Sequence, residues 1–218
     1  DQPRVPITAR LVADMIQVAG ADRYITMDLH AGQIQGFFSI PGDVLSGYHI
    51  IKPYLMDLLP SLNRPVMLTA DLGFAKRGRR YAQALNIPLA FIEKRRVDNE
   101  EHSEALSIIG QVSGRDVILI DDEIDTGGSI CEAVNLAKQY GAGEILVVFV
   151  HPVLSANAVE RLASLPVKQF ITTNTIPIAP DKKALFGDRL TILSIGPLIG
   201  EVIKRANEGT SVGAMFNE

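Results

Sequence analysis

Apolar residues along this chain fall into two alternating rhythms. Short continuous or alternating apolar runs at Tyr24 to Leu29, Val66 to Ala70, Pro88 to Glu93, Leu106 to Ile109, Val117 to Ile120, Ile145 to Val150, Gln169 to Thr173 and Leu190 to Ile195 have strand length and lie between turn residues. Between them, apolar positions recur at helical spacing, as in Leu11, Met15, Ile16 and Ala19 or Ile130, Ala133, Val134 and Ala137. The pattern predicts helices over Pro6 to Ala21, about Ser46 to Leu59, after Asp71-Leu72-Gly73 through Leu85, from Ile130 onward, over Ala156 to Leu165 and over Ile199 to Ala206. Gly36 to Gly42 reads as a loop, and the polar Val97 to Glu104 as a flexible surface loop. Strands that alternate with helices of these lengths imply an α/β fold with a parallel sheet flanked by helices on both faces.

The most informative stretch is Val117 to Ser129. Four aliphatics suited to a strand buried on both faces run into Asp121-Asp122-Glu123-Ile124-Asp125, then Thr126-Gly127-Gly128-Ser129, then a helix. Thr126 to Ser129 therefore sit at a helix N-terminus, where unpaired backbone N–H groups and the positive end of the dipole attract an anion. Gly127 and Gly128 permit the close backbone approach that a phosphate requires. Asp121 and Asp122 would repel a phosphate but suit the vicinal hydroxyls of a ribose, directly or through a divalent cation. The stretch reads as a sugar-phosphate cradle; the plainer alternative is a strand-to-helix turn with Asp and Thr as ordinary caps.

A leading Asp after a strand, followed by a loop and a helix, occurs at Asp28 and Asp71 as well as Asp121. In one open α/β sheet such loops share the carboxyl edge, so the expectation is one composite site. Asp28 and His30 fall two residues apart at a strand end, which would turn both to one face. Lys94-Arg95-Arg96 ends a strand; by alternation Lys94 and Arg96 share a face, and composition alone leaves function and a solvated basic face evenly matched.

Composition narrows the partners. At 218 residues, 47% hydrophobic and 21% charged, the chain can bury a sizeable core, and one to two α/β units is the natural size. A net charge of -4 offers no basic footprint for nucleic acid, so an anionic substrate must be held by local Lys and Arg clusters. Cys131 is the single cysteine, which excludes an intrachain disulfide framework, is compatible with a reducing compartment, and reads as a small core residue. No apolar run is long enough to span a membrane and no signal-peptide pattern is present, which makes the cytoplasm the default location. Asp1 to Pro6 carries no initiator methionine and enters a helical pattern almost at once, as in a chain whose front is missing.

The Asp121 to Ser129 segment resembles the sugar-phosphate loop of type I phosphoribosyltransferases and of the ribose-phosphate diphosphokinases, which make 5-phosphoribosyl 1-diphosphate (PRPP). Asp28-Leu29-His30-Ala31-Gly32-Gln33-Ile34-Gln35-Gly36-Phe37-Phe38 is similar to the metal and ATP signature of the second family, which phosphoribosyltransferases lack. Asp71-Leu72-Gly73-Phe74-Ala75-Lys76-Arg77 resembles its pyrophosphate loop, although Leu72 and Phe74 replace small or polar residues. Lys94 and Arg96 match its catalytic Lys-x-Arg, and Asp43 falls at an acidic position of its metal region, where Ser39 stands in place of a common Asp. Thr172 to Pro177 and Ser211 to Phe216 resemble further family segments, the first near a regulatory phosphate. The likeness covers the C-terminal two thirds of such an enzyme, without the front part and its adenine-binding residues.

The resemblance implies a type I phosphoribosyltransferase-like domain plus part of a second, with 1–46 as the remnant, 47–218 as the C-terminal domain, and the last helix, about 197–218, packing back on the N-terminal part. It implies transfer of diphosphate from ATP to ribose 5-phosphate, giving PRPP and AMP. Lys94, Arg96 and His30 would be catalytic; Asp121, Asp122, Asp125, Thr126, Gly127, Gly128 and Ser129 would hold ribose 5-phosphate; Asp71, Gly73, Lys76 and Arg77 would form the pyrophosphate loop. Mg²⁺ would lie near Asp28, His30, Asp43 and Asp71, with ATP as co-substrate, in a homo-oligomer, either a hexamer or a dimer. Two alternatives stay open: a non-catalytic regulatory or binding subunit, favoured by Ser39 and the altered pyrophosphate loop, and a phosphoribosyltransferase, which leaves Asp28 to Phe38 unexplained.

Overall fold

The computed structural model describes residues 5–71, 73–96 and 104–216, and only the backbone of 94–96 and 104–105; the loop expected from Val97 thus lies outside the described residues up to 103. The chain divides into two compact units, Tyr48–Glu201 and a second formed by Asp1–Gly47 with Val202–Glu218.

The larger unit is built on a seven-stranded sheet. Its strands are β3 (Val66–Thr69), β4 (Leu89–Arg96), β5 (Glu104–Ile109), β6 (Val117–Ile124), β7 (Ile145–Pro152), β8 (Gln169–Thr173) and β9 (Leu190–Leu193), in the order β5-β4-β3-β6-β7-β8-β9. The helices are α2 (Tyr48–Leu58), α3 (Ala75–Leu85), α4 (Gly128–Gln139), α5 (Ala158–Ala163), α6 (Pro180–Phe186) and the start of α7 (Gly196–Glu208). Val117, Ile118, Leu119 and Ile120 are all buried, as expected of a central strand covered on both faces. One face packs Val66, Leu68, Val117, Leu119 and Val147 against Ile130, Val134 and Ala137 of α4 and Leu162 of α5. On the other, α3 lies so close to β3 that a Cβ added to Gly78 would stand 2.3 Å from Thr69 Cγ2.

The sheet is parallel except at one edge, where β5 runs antiparallel to β4 from Phe91↔Ile109 to Arg96↔Glu104. Several strands also run further than their apolar cores predict, β4 and β6 by the most. β4 pairs with β3 only up to Phe91 and continues through Lys94-Arg95-Arg96, because β5 satisfies its backbone beyond the sheet. β6 pairs with β3 up to Ile120 and continues through Asp121 to Ile124 against Phe149 to Pro152 of β7. The acids expected to follow the strand are part of it. Apolar periodicity is blind to such extensions, since a neighbouring backbone supplies the hydrogen bonds. Helix α6 was not expected; Pro180 at its first turn starts it.

The smaller unit contains α1 (Thr8–Val18), β1 (Tyr24–Met27) and β2 (Gly42–Leu45), a 3-10 turn at Gly32–Phe37 and the second half of α7. β1 and β2 form a separate two-stranded parallel sheet, so β1 is not a strand of the sheet that carries Asp71 and Asp121. The expectation of three acid-bearing loops on one carboxyl edge is corrected to two, because the partner of a strand is set by pairing and not by its own sequence. The loop expected at Gly36 to Gly42 is found over 38–41, between the 3-10 turn that ends at Phe37 and β2, where Gly42 leaves room for the Tyr24 ring stacked 4.0 Å from Phe38. Helix α1 forms, yet Leu11 and Met15 of its apolar stripe are exposed.

Candidate functional site

The order of strands in the larger unit creates a crevice. From β3 the chain passes through α3 to β4 on one side, and from β6 it passes through α4 to β7 on the other. The carboxyl ends of β3 and β6 are therefore adjacent while their connections diverge, the arrangement at which open α/β sheets bind ligands. Asp71 follows β3, and Asp121 to Ser129 occupy the end of β6 and the turn into α4.

In the second of these segments Gly127 is the N-cap of α4 with φ 77°, a left-handed conformation that favours glycine. Asp125, Thr126 and Ser129 are exposed around it, and Ile130 turns inward to anchor the helix. The N–H groups of the first turn of α4 thus open beside two hydroxyl side chains, a seat for an anion. Asp122 is buried and accepts from Arg77 Nη1 at 3.0 Å. Asp121 Oδ1 accepts from the Asp122 N–H at 2.9 Å. Burial pushes the Asp121 carboxyl up to about 8, with that N–H pulling the other way and the charges of Asp122 and Asp71 adding to the rise.

The Asp71 loop is shaped by its own acid. Asp71 Oδ1 accepts the Phe74 N–H at 2.8 Å, in the manner of a cap, and Thr69 Oγ1 donates to the Asp71 carbonyl at 3.1 Å. Phe74 is buried, and the Arg77 guanidinium lies 5.5 Å from its ring, so the aromatic that departs from the family pattern supports Arg77. Gly73 and Lys76 are exposed in the same loop and first turn; Leu72 lies outside the described residues. Lys94 and Arg96 lie in the part of β4 that overhangs β3, and their side chains lie outside the description.

Asp28, His30 and Asp43 belong to the smaller unit. β1 ends at Met27 and Asp28 takes φ 39°, so the alternation that would have turned Asp28 and His30 to one face stops before it acts. The Asp28 carboxylate instead accepts from Ser46 Oγ at 3.0 Å and from the Gly47 N–H. Asp43 accepts from Arg23 through Nη2 at 2.5 Å and Nε at 2.9 Å, a partner that the spacing of 20 residues did not announce. His30 is exposed and, with Pro6, Ile7, Ile34 and Phe37, lines a cleft of about 880 Å³. Among the described residues no group of three or more His, Cys, Asp or Glu gathers as a ready-made metal cage.

The remaining segments singled out in the sequence have structural partners. Thr173 and Thr175 Oγ1 both donate to the Val150 carbonyl, at 2.8 and 3.1 Å, and Thr175 Oγ1 lies 3.0 Å from His151 Nδ1. Val212 of the tail is buried, and Arg205 Nη1 donates to the Ser211 carbonyl at 2.9 Å. Cys131 is partly buried against the core, which raises its thiol above the ordinary range. No helix among the described residues is long and apolar enough to cross a membrane.

Residues 98–217 match the model of the phosphoribosyl synthetase-associated domain. A ribose-phosphate pyrophosphokinase of Clostridium acetobutylicum is 45% identical over 99% of this chain and 66% of its own length, and one of Helicobacter hepaticus is 42% identical over 98% and 67%. The crystal structure of phosphoribosylpyrophosphate synthetase from Mycobacterium smegmatis superposes with a TM-score of 0.86 at 40% identity, covering 94% of this chain and 65% of that one. The chain thus spans about two thirds of the length of the relatives it matches.

Proposed function

The chain belongs to the ribose-phosphate pyrophosphokinase family, and from that premise we propose that its full-length gene product transfers the β,γ-diphosphoryl group of ATP to the anomeric hydroxyl of ribose 5-phosphate. The anomeric hydroxyl oxygen attacks the β-phosphorus in line and gives up its proton to solvent, the bond from that phosphorus to the oxygen kept by the α-phosphate breaks, and PRPP and AMP leave. The observation that carries this reading is the placement of the Asp121 to Ser129 segment and the Asp71 loop at adjacent strand ends of one sheet, bridged by Arg77 and Asp122.

In this reading the N–H groups at the start of α4, with Thr126 and Ser129, hold the 5-phosphate, and Asp121 and Asp122 take the ribose hydroxyls. Lys76 and Arg77 of the Asp71 loop face the diphosphate, Lys94 and Arg96 stabilise the charge that develops on it, and His30 is assigned to ATP. Mg²⁺ fits the chemistry of the crevice: Asp121, Asp122 and Asp71 offer hard oxygen donors whose mutual repulsion a divalent cation would relieve. When bound it would supply neutralisation of phosphate charge. A homo-oligomer in the cytoplasm accords with the family and with the single cysteine.

The test is AMP formation from ATP and ribose 5-phosphate by the full-length gene product with Mg²⁺. PRPP and AMP in equal amounts are expected. Binding of ribose 5-phosphate with no AMP would support a non-catalytic subunit instead, and base-dependent release of pyrophosphate from PRPP would support a phosphoribosyltransferase.

A further inference from the structure

A second loop lies directly behind the anion-binding turn. Between β7 and α5 the chain turns through Leu154 at φ 49° and Ala156 at φ 48°, two left-handed non-glycine residues within three positions. Such conformations are costly for residues with a Cβ and persist only where the surroundings impose them. Here the surroundings are the end of β6: the Leu154 N–H donates to the Ile124 carbonyl at 2.9 Å, and the Ser155 N–H to the Asp125 carbonyl at 3.0 Å. Those carbonyls immediately precede Thr126. Leu154 is 1% exposed, and a Cβ on Gly127 would lie 3.5 Å from Leu162 and 3.8 Å from Ala158, so α5 fills the space beneath the turn.

One cation holds the loop from outside. Lys182, in the first turn of α6, donates through Nζ to the Leu154 carbonyl at 2.6 Å. A charge-assisted bond to a carbonyl at a left-handed residue opposes relaxation of that residue toward an ordinary conformation.

We propose that Lys182 is a positioning residue for the phosphate-binding turn: by clamping the Leu154 carbonyl it keeps Leu154 and Ala156 left-handed, and their loop in turn fixes the Ile124 and Asp125 carbonyls from which Thr126 to Ser129 depart. Lys182 acts through the loop and touches no substrate. The inference rests on reading Thr126 to Ser129 as the seat of the 5-phosphate.

Two readouts on the full-length gene product separate the clamp from that reading. Amide hydrogen exchange tests the clamp without ligand: Lys182→Met should speed exchange at Leu154, Ser155 and Cys131, whose N–H donates to Gly127, by about tenfold while leaving Ile118 and Leu119 in mid-strand unchanged. Lys182→Arg should restore slow exchange, and adding Ala156→Gly to Lys182→Met should restore it in part, because glycine carries no penalty at that φ. Ribose 5-phosphate affinity should fall about fivefold in Lys182→Met and recover in Lys182→Arg. Exchange that stays slow at those amides, or that rises evenly through the sheet, would overturn the clamp. Wild-type protein that shows the exchange pattern but does not bind ribose 5-phosphate would overturn the phosphate reading and leave the mechanical coupling standing.

Discussion

Arg77 of α3 donates to Asp122 of β6 at 3.0 Å, and the carboxylate it reaches is almost wholly withdrawn from water, with 7% of the side chain exposed. The pair crosses the crevice between the ends of β3 and β6 and ties the Asp71 loop to the acids at the end of β6. Removing the cation would leave a buried carboxylate with less compensation, and that loss outweighs the modest net worth of the pair.

Arg77→Met should therefore destabilise the protein by about 1–3 kcal/mol, read as a shift in the denaturant midpoint at constant slope. Asp122→Asn should cost less, since the amide needs no counter-charge. Equal stability of wild type and Arg77→Met would show the pair to be incidental.

Asp121 makes stability depend on pH. Its carboxyl is raised from 3.8 to about 8, so across that interval the folded protein keeps a proton that the unfolded chain has released. The associated stability is complete at the acid end and is lost as pH rises through 8. Asp121→Asn keeps the acceptor oxygen for the Asp122 N–H and removes the titration, so its thermal midpoint should overtake that of wild type as pH climbs, in buffer without divalent cations. Mg²⁺ should raise the wild-type midpoint more at alkaline than at acid pH, and should lose that effect in Asp121→Asn.

Gly78 sets the distance of α3 from the sheet. A methyl group there would stand 2.3 Å from Thr69 Cγ2, so Gly78→Ala should cost about 1–3 kcal/mol despite the better helix propensity of alanine. Thr69→Ser, which removes the opposing methyl, should recover most of the loss in the double variant; additive costs would place the strain elsewhere.

In the full-length gene product, Lys94→Ala should lower kcat by about a hundredfold and leave ribose 5-phosphate affinity within about twofold, as expected of a cation that meets charge only in the transition state. Steady-state kinetics with both substrates varied would decide it, and an unchanged kcat would remove Lys94 from the mechanism.

The sequence by itself determined the α/β class and the helix that opens at Thr126 to Ser129, whereas its cap, for which Asp or Thr was the ordinary candidate, is Gly127 with no side-chain cap bond. Class and helix follow from local causes: apolar period, turn chemistry and the missing Cβ of Gly127. The sequence marked Asp71 as a leading acid after a strand, because a strand end, an acid and a glycine lie close together there, while the acids from Asp121 that it placed after a strand lie within β6. Only the tertiary structure decided which strands share a sheet, and so separated β1 and Asp28 from the edge that carries Asp71 and Asp121. It alone paired Arg77 with Asp122, Arg23 with Asp43 and Lys182 with Leu154, across 45, 20 and 28 residues. Contacts at such separations leave no periodic trace, since they depend on where the chain returns and not on what precedes or follows each residue.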